Sequence, residues 1–265
     1  MNHLLREQAP LSEAAWAAID DEARSRLVTY LAARKLVDFE GPHGWTYSAT
    51  NLGHVRAIDP PVSGIRALQR RVLPLVELRL PFVVSRATID DAGRGAARLD
   101  FDELEAAVRS LGQAENALVF HGYAAAGFAG ITEESSHDPI PLQSDLETYP
   151  TSVAKAVNAL RITGIDGPYG LAIGPSGYTA IIESTERGGL LLLDHLRQIL
   201  GGPVVWAPGV EGAVVLSLRG GDFVLDCGED LSIGYLAHDA EKVEMYLEES
   251  VSFHVVEPDA AIALV

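Results

Sequence analysis

The side chains in this chain that are able to do chemistry do not sit at the spacings that chemistry requires. Gly174-Pro175-Ser176-Gly177 comes near a nucleophile elbow, the sharp turn that lifts a serine hydroxyl out of a strand. Its second glycine arrives one residue early, so that turn is not met. Gly164, Gly167 and Gly170 stand three apart, which is not the dinucleotide fingerprint, and no Gly-Lys-Ser/Thr follows a strand to cradle a phosphate. The eight histidines are scattered, with no His-Glu-x-x-His and no pair at zinc-ligand spacing. Asp194 and His195 are adjacent, and neighbours on a helix point about 100° apart, too far to form a dyad. Cys227 lies in an apolar strand pattern beside Gly228 with no evident base, the setting of an inert buried thiol. Glu115 stands in line with an apolar helical stripe. It is either a boundary position reached by an arginine or a catalytic acid, and helical spacing sets no second acid or histidine beside it. These patterns call for no catalytic centre, metal or cofactor.

Composition narrows the field further. A net charge of −17 argues against nucleic acid or an anionic membrane as a partner of the whole surface. One cysteine excludes an internal disulfide framework and a cysteine-rich metal site. No apolar run reaches the roughly 18 residues of a membrane span. The opening Met-Asn-His-Leu-Leu-Arg-Glu-Gln-Ala-Pro lacks the apolar heart of a signal peptide, so a cytoplasmic protein is expected. Apolar content of 48%, with 25 glycines and 14 prolines, suits a globular chain with a packed core and many turns.

The elements follow from periodicity. Ser12 caps a predicted helix running to about Arg34, with Trp16, Ile19, Ala23, Leu27, Tyr30 and Leu31 on one stripe. That stripe is either core or a groove for a partner segment. Leu36 to Glu40 reads as a strand and Gly41-Pro42-His43-Gly44 as a turn, with Trp45 and Tyr47 restarting the alternation. This is either an ordinary hairpin or a surface that another chain covers. From Ser48 to Pro74, Gly53, Pro60, Pro61, Gly64 and Pro74 break any long element. Between Arg56 and Arg86 six arginines face two acids, which fits either an arm reaching onto an acidic neighbour or a solvated basic loop. Val76 to Val84 alternates as a half-buried strand. A second long helix from Asp100 to about Tyr123 is long enough to be a spine. From Thr132 helices and strands alternate, as in an inserted α/β unit with strands at Tyr169–Ile173, Val204–Trp206 and Ala213–Leu216. Glu183 to Gly189 reads as an exposed polar loop. After Phe223 the pattern is strand again, through Ala260 to Val265.

The order of these features, with several exact stretches, resembles the type 1 encapsulin shell proteins, also called the linocin-like bacteriocin family, over essentially the whole chain. The stretches are Ala-Pro-Leu-Ser-Glu-Ala-Ala-Trp from Ala9, Ala33-Arg34-Lys35 with Val37-Asp38 and Gly41-Pro42, Leu75 to Phe82, and Gly167-Pro168-Tyr169. Arg219-Gly220-Gly221-Asp222-Phe223, Leu231-Ser232-Ile233-Gly234-Tyr235 and Phe253 complete them. Ala33 departs from the glycine often found there.

The resemblance implies an α+β fold of the Hong Kong 97 phage capsid type. A peripheral domain would comprise residues 1–47, 75–131 and 223–265, an extended loop 48–74, and an axial domain 132–222. It implies a non-enzymatic subunit that assembles with itself into a closed icosahedral nanocompartment. The cargo would be a ferritin-like protein or a dye-decolorising peroxidase, tied to iron storage or oxidative stress, whose C-terminal targeting peptide docks on the inner wall. Carried over by position, the docking residues are Leu27, Tyr30, Leu31, Arg34, Asp38, Leu231, Ile233 and Tyr246. Glu183, Ser184, Thr185, Glu186, Arg187, Gly188 and Gly189 would line a five-fold pore. Arg56, Arg66, Arg70 and Arg71 would belong to the inter-subunit arm. A phage capsid protein is the near alternative. The peptidase and bacteriocin labels used in the family lack a nucleophile–base pair and a membrane-active segment in this chain.

Overall fold

A computed structural model describes residues 3–142, 146–184 and 191–265. In chain order its main elements are α1 (Glu13–Tyr30), β1 (Asp38–Glu40), β2 (Ala49–Ile58), β3 (Ala67–Pro74), β4 (Val76–Ser85), α2 (Arg86–Gly93) and α3 (Asp102–His121). Then come α4 (Ile131–Glu134), α5 (Tyr149–Ile162), β5 (Tyr169–Ile173), α6 (Pro175–Glu183), α7 (Leu192–Leu200), β6 (Val204–Trp206) and β7 (Ala213–Ser217). The chain ends with β8 (Phe223–Cys227), β9 (Ser232–His238), β10 (Lys242–Val255) and β11 (Ala261–Leu264).

Two sheets and one ribbon organise these elements. The first sheet runs β1-β8-β10-β4, with β9 also paired to β10, and only β1 and β8 are parallel. The 14-residue β10 is its axis, pairing with β4 along one edge and with β9 and then β8 along the other. Its face packs on α1 and on the first half of α3 through Ile19, Leu27, Leu104, Val108, Phe82, Met245 and Leu247. The second sheet runs β11-β7-β5-β6 and packs on α5 and α7. The later residues Leu118, Val119 and Phe120 of α3 enter this second core. At about 1.5 Å per residue, 20 residues of α3 run some 30 Å and join the two bodies. No helix among the described residues is long and apolar enough to cross a membrane.

α1 begins where Ser12 Oγ accepts the Ala15 N–H at 3.2 Å. It ends at Tyr30, short of the expected Arg34, because one buried side chain of α3 stops it. Asn116 Oδ1 accepts the N–H groups of Ala32 and Ala33 at 3.0 and 2.9 Å, and its Nδ2 donates to the carbonyls of Tyr30 and Pro208, both at 2.8 Å. Gly112 lets the helices close there, since a Cβ at that position would meet Tyr30 Cβ at 2.7 Å. Arg34 therefore sits on a separate 3₁₀ turn, Ala33–Lys35.

Several other expectations change. The stretch from Leu36 to Tyr47 is no hairpin: β1 pairs in parallel with the distant β8, and Trp45 and Tyr47 lie in a turn. Gly41, with φ +131°, lets the chain lie directly on the Cys227 carbonyl. The passage 48–74 forms two long paired strands, β2 and β3, because its glycines and prolines fall at a bulge and at the ends and tip of the ribbon. Val243–Leu247 and Val251–Val255 are one continuous strand, and the short α2 was not anticipated. β11, expected among the peripheral strands, pairs instead with β7 in the second sheet. Glu183 is the last residue of α6, not part of a loop.

Replacing Asn116 with alanine strands several buried backbone groups at once. The variant should lose roughly 2–5 kcal/mol of stability, read from the denaturant midpoint of unfolding.

Candidate functional site

The residue expected to grip a partner, Arg34, is already occupied. Its Nε donates to Glu115 Oε2 at 2.7 Å and its Nη1 to Asp230 Oδ1 at 2.7 Å. Its Nη2 donates to Glu249 Oε2 at 3.0 Å and also lies 2.6 Å from Glu115 Oε2. The guanidinium lies over the Phe39 ring, 4.4 Å from its centroid. Glu115 and Glu249 are fully buried. Burial acts to lower the Arg34 pKa, but the carboxylates of Glu115, Glu249 and Asp230 more than offset it and hold the side chain charged. This settles the two readings of Glu115: it is a boundary acid reached by an arginine. The acid that α3 could not place beside it comes from β10 instead.

One guanidinium among three carboxylates leaves a surplus of negative charge. Among the described residues, Glu115 Oε1 and Glu249 Oε1 are buried without a hydrogen-bond donor beyond one another. Burial first, then the neighbouring Glu115 carboxylate, pushes Glu249 well above the ordinary carboxylate range, against the pull of Arg34. Glu249 accordingly favours its neutral, protonated form. Its contribution to stability is full below pH of about 4.3 and is lost as pH rises through the elevated value.

Beside this cluster runs a groove of about 350 Å³ between α1 and the edge of β9. Ala23, Leu27, Val28 and Leu31 form one wall and Leu231, Ile233 and Leu247 the other, with Arg6, Asp20, Arg24, Arg34 and Asp230 at the rim. Val28 is 65% exposed, an uncovered apolar residue beside the buried stripe. The stretch before α1 closes one end. The Leu4 carbonyl accepts the Tyr235 N–H at 2.9 Å, and Arg6 pairs with Asp20 at 2.6 Å while lying over Trp16.

Five of the expected docking residues, Leu27, Leu31, Arg34, Leu231 and Ile233, meet in this groove, although Ile233 is only 4% exposed and serves the core as well. Three do not line it. Tyr30 turns toward Gly112 and the Trp206 ring. Tyr246 follows strand alternation to the opposite face from Leu247 and lies under Arg79. Asp38 lies across Arg34 in a smaller hollow of about 190 Å³, where its carboxylate accepts the Gly221 N–H at 2.5 Å and so braces a turn. Val28, Asp230 and Leu247 are groove residues that periodicity did not single out. Val28 was discoverable as an apolar residue next to, but off, the core stripe.

Arg56, Arg66, Arg70 and Arg71 are all exposed on the ribbon, with Arg56 donating to Gln69 at 2.7 Å. The register places Val55, Leu68 and Val72 on one face, at 53, 42 and 50% exposure. Of the expected pore residues, Glu183 ends α6 and the Ser184 hydroxyl donates to the Ala180 carbonyl at 2.7 Å. Thr185, Glu186, Arg187, Gly188 and Gly189 lie outside the described residues. Cys227 is fully buried, and burial pushes its thiol up, away from the reactive thiolate.

Two substitutions probe the cluster. Glu249→Gln should be more stable than the parent at pH 8 by roughly 1–3 kcal/mol, with the gap closing toward pH 4.5, measured by thermal unfolding across pH. Arg34→Met should cost roughly 3–5 kcal/mol, because it leaves buried carboxylates uncompensated.

Comparison with known proteins gives one answer. The model of the Linocin_M18 family, described as an encapsulating protein for peroxidase, matches residues 1–252. A type 1 encapsulin shell protein of Rhodospirillum rubrum is 45% identical over 270 residues, covering 100% of this chain and 96% of that one. A ferritin-like-encapsulin shell fusion protein of Pyrococcus furiosus is 25% identical over 100 residues, covering 37% of this chain and 29% of that one. Among solved structures, a virus-like particle from Pyrococcus furiosus superposes with a TM-score of 0.63 at 19% identity, covering 92% of this chain and 98% of that one. Tailed-phage and gene-transfer-agent capsids share the same fold. With a groove and a ribbon but a cluster that binds its own arginine, and with relatives named as shells along its whole length, this chain belongs to the encapsulin shell proteins of the Linocin_M18 family.

Proposed function

We propose that this chain assembles with copies of itself into a closed icosahedral compartment in the cytoplasm, and that the groove between α1 and β9 takes the C-terminal tail of an enclosed enzyme. The whole-length likeness to shell proteins supports the assembly. The observation that carries the docking is the apolar wall of exposed Val28 and part-buried Leu31, floored by the buried Leu27 and facing Leu231. A short tail would place apolar side chains between these walls, with Arg6, Arg24, Asp20 and Asp230 setting its polar contacts at the rim. Arg34 would act as the brace of that wall, not as a free ligand. The family description supports a peroxidase as cargo, and the fusion relative supports a ferritin-like protein as the second candidate.

The body built on the first sheet would be the peripheral domain and 132–222 the axial domain, with β11 lent to the axial sheet. Glu183, at the end of α6, would stand beside the five-fold pore and favour cations there. The β2–β3 ribbon would be the arm. A two-stranded ribbon is marginal alone, and this one exposes an apolar face and arginines in a chain of net charge −17. A neighbouring acidic copy would cover it.

Electron microscopy of the purified protein tests the assembly: closed particles are expected, and soluble monomers or dimers alone would reject it. Val28→Asp and Leu31→Asp should give intact shells that co-purify with at least tenfold less cargo, scored by mass spectrometry; normal loading in both would remove the groove from the mechanism. Leu68→Asp should instead yield unassembled subunits by size-exclusion chromatography.

A further inference from the structure

The later half of α3 meets the loop 207–212, which connects β6 to β7, along a seam where the spine helix enters the second body. Gly209, with φ +92°, lies against the Gln113 carbonyl with no room for a Cβ. Asn116 Nδ2 holds the Pro208 carbonyl at 2.8 Å. At the end of the helix, His121 Nε2 accepts the Glu211 backbone N–H at 2.9 Å. Its Nδ1 lies 3.2 Å from Thr132 Oγ1, whose own proton goes to the Phe120 carbonyl at 2.8 Å.

These contacts assign the tautomer. A backbone N–H can only donate, so Nε2 carries no proton and the ring proton sits on Nδ1, directed at the Thr132 oxygen. Both hydrogen bonds of the ring are thus those of neutral imidazole. We propose that His121 is an acid-sensitive tether of this seam, closed while the ring is neutral and released when it is protonated. The imidazolium carries a second N–H on Nε2, which faces the Glu211 N–H; donor meets donor and the bond is lost. The two charged groups that face the ring are the carboxylates of Glu211, on the loop, and Glu133, on α4. Both attract the imidazolium and offer it an acceptor once it turns from the backbone.

Burial of the ring outweighs these carboxylates and holds the His121 pKa below its ordinary value. The sign follows. The tether contributes fully above pH of about 6.5 and is lost as pH falls through the depressed value. The Asn116 tether beside it does not titrate, so the seam loosens in acid without coming apart.

Hydrogen exchange of the 207–212 segment, followed by mass spectrometry in the full-length protein from pH 7.5 to 5.0 and corrected for intrinsic exchange, tests this. Protection should fall about three- to tenfold in the parent, the worth of one hydrogen bond. It should stay flat in His121→Gln, whose amide oxygen accepts at every pH. Constant protection in the parent, or an equal fall in both, overturns the proposal. Should His121→Gln not fold, Glu211→Gln serves. This exposed change removes a carboxylate that favours the imidazolium, so the fall should move to lower pH, and an unmoved midpoint would count against the tether.

Discussion

The fold depends on how two buried carboxylates, Glu115 and Glu249, share one guanidinium that a third, the part-exposed Asp230, holds from the solvent side. Arg34 comes from a 3₁₀ turn, Glu115 from the spine helix, Glu249 from the axis of the first sheet and Asp230 from the loop before β9. No two of these are neighbours in sequence, so the cluster forms only when the first helix, the spine and the sheet reach their final places together. An arginine suits this position because its planar donors satisfy several oxygens at once, which a lysine could not do in one geometry. A paired but surplus-charged cluster is a weak source of net stability and a strong penalty on any arrangement that leaves a member alone. It defines which arrangement is native more than it deepens it.

The placement of groove and ribbon follows from the same contacts. Arg34 is held by Glu115, Glu249 and Asp230 at the rim of the groove, which Leu31 and Leu231 line. Because Asn116 ends α1 at Tyr30, the chain turns out of the helix toward β1 and then, past Gly41, toward the ribbon. Groove and ribbon thus lie on either side of one short stretch, the 3₁₀ turn and residues 36–47 that follow it. The spine helix reaches the second body through Leu118, Val119 and Phe120 and through the loop it touches at Asn116 and His121.

How much of this was legible varies with the range of the interaction that decides it. The stripe Ile19, Ala23 and Leu27 and the spine stripe Leu104, Val108 and Leu111 were readable, because helical periodicity is local and both faces bury as their spacing predicts. Strands β5, β6 and β7 were readable as short apolar runs for the same reason. The ribbon was not, since its glycines and prolines look like breakers until register shows them at a bulge and at its ends. Nor was the role of Asp38: an acid in an alternating strand gives no sign that it will hold the Gly221 amide from 183 residues away. That Tyr246 does not line the groove was readable by alternation alone, since it is one residue from the inward-facing Leu247.

By itself the sequence determined the class of protein and its broad plan: two long amphipathic helices, an interposed α/β unit, an arginine-rich passage and terminal strands, without the spacing of the catalytic motifs. It could do so because patterning and motif spacing are properties of short stretches of chain. Only the tertiary structure decided that Arg34 is hydrogen-bonded to three acids of its own chain, that Glu115 lies beside Glu249, and that the last strand crosses to the other sheet. Those outcomes depend on which distant backbone segments pack together, and so on burial, register and the compensation of buried charge.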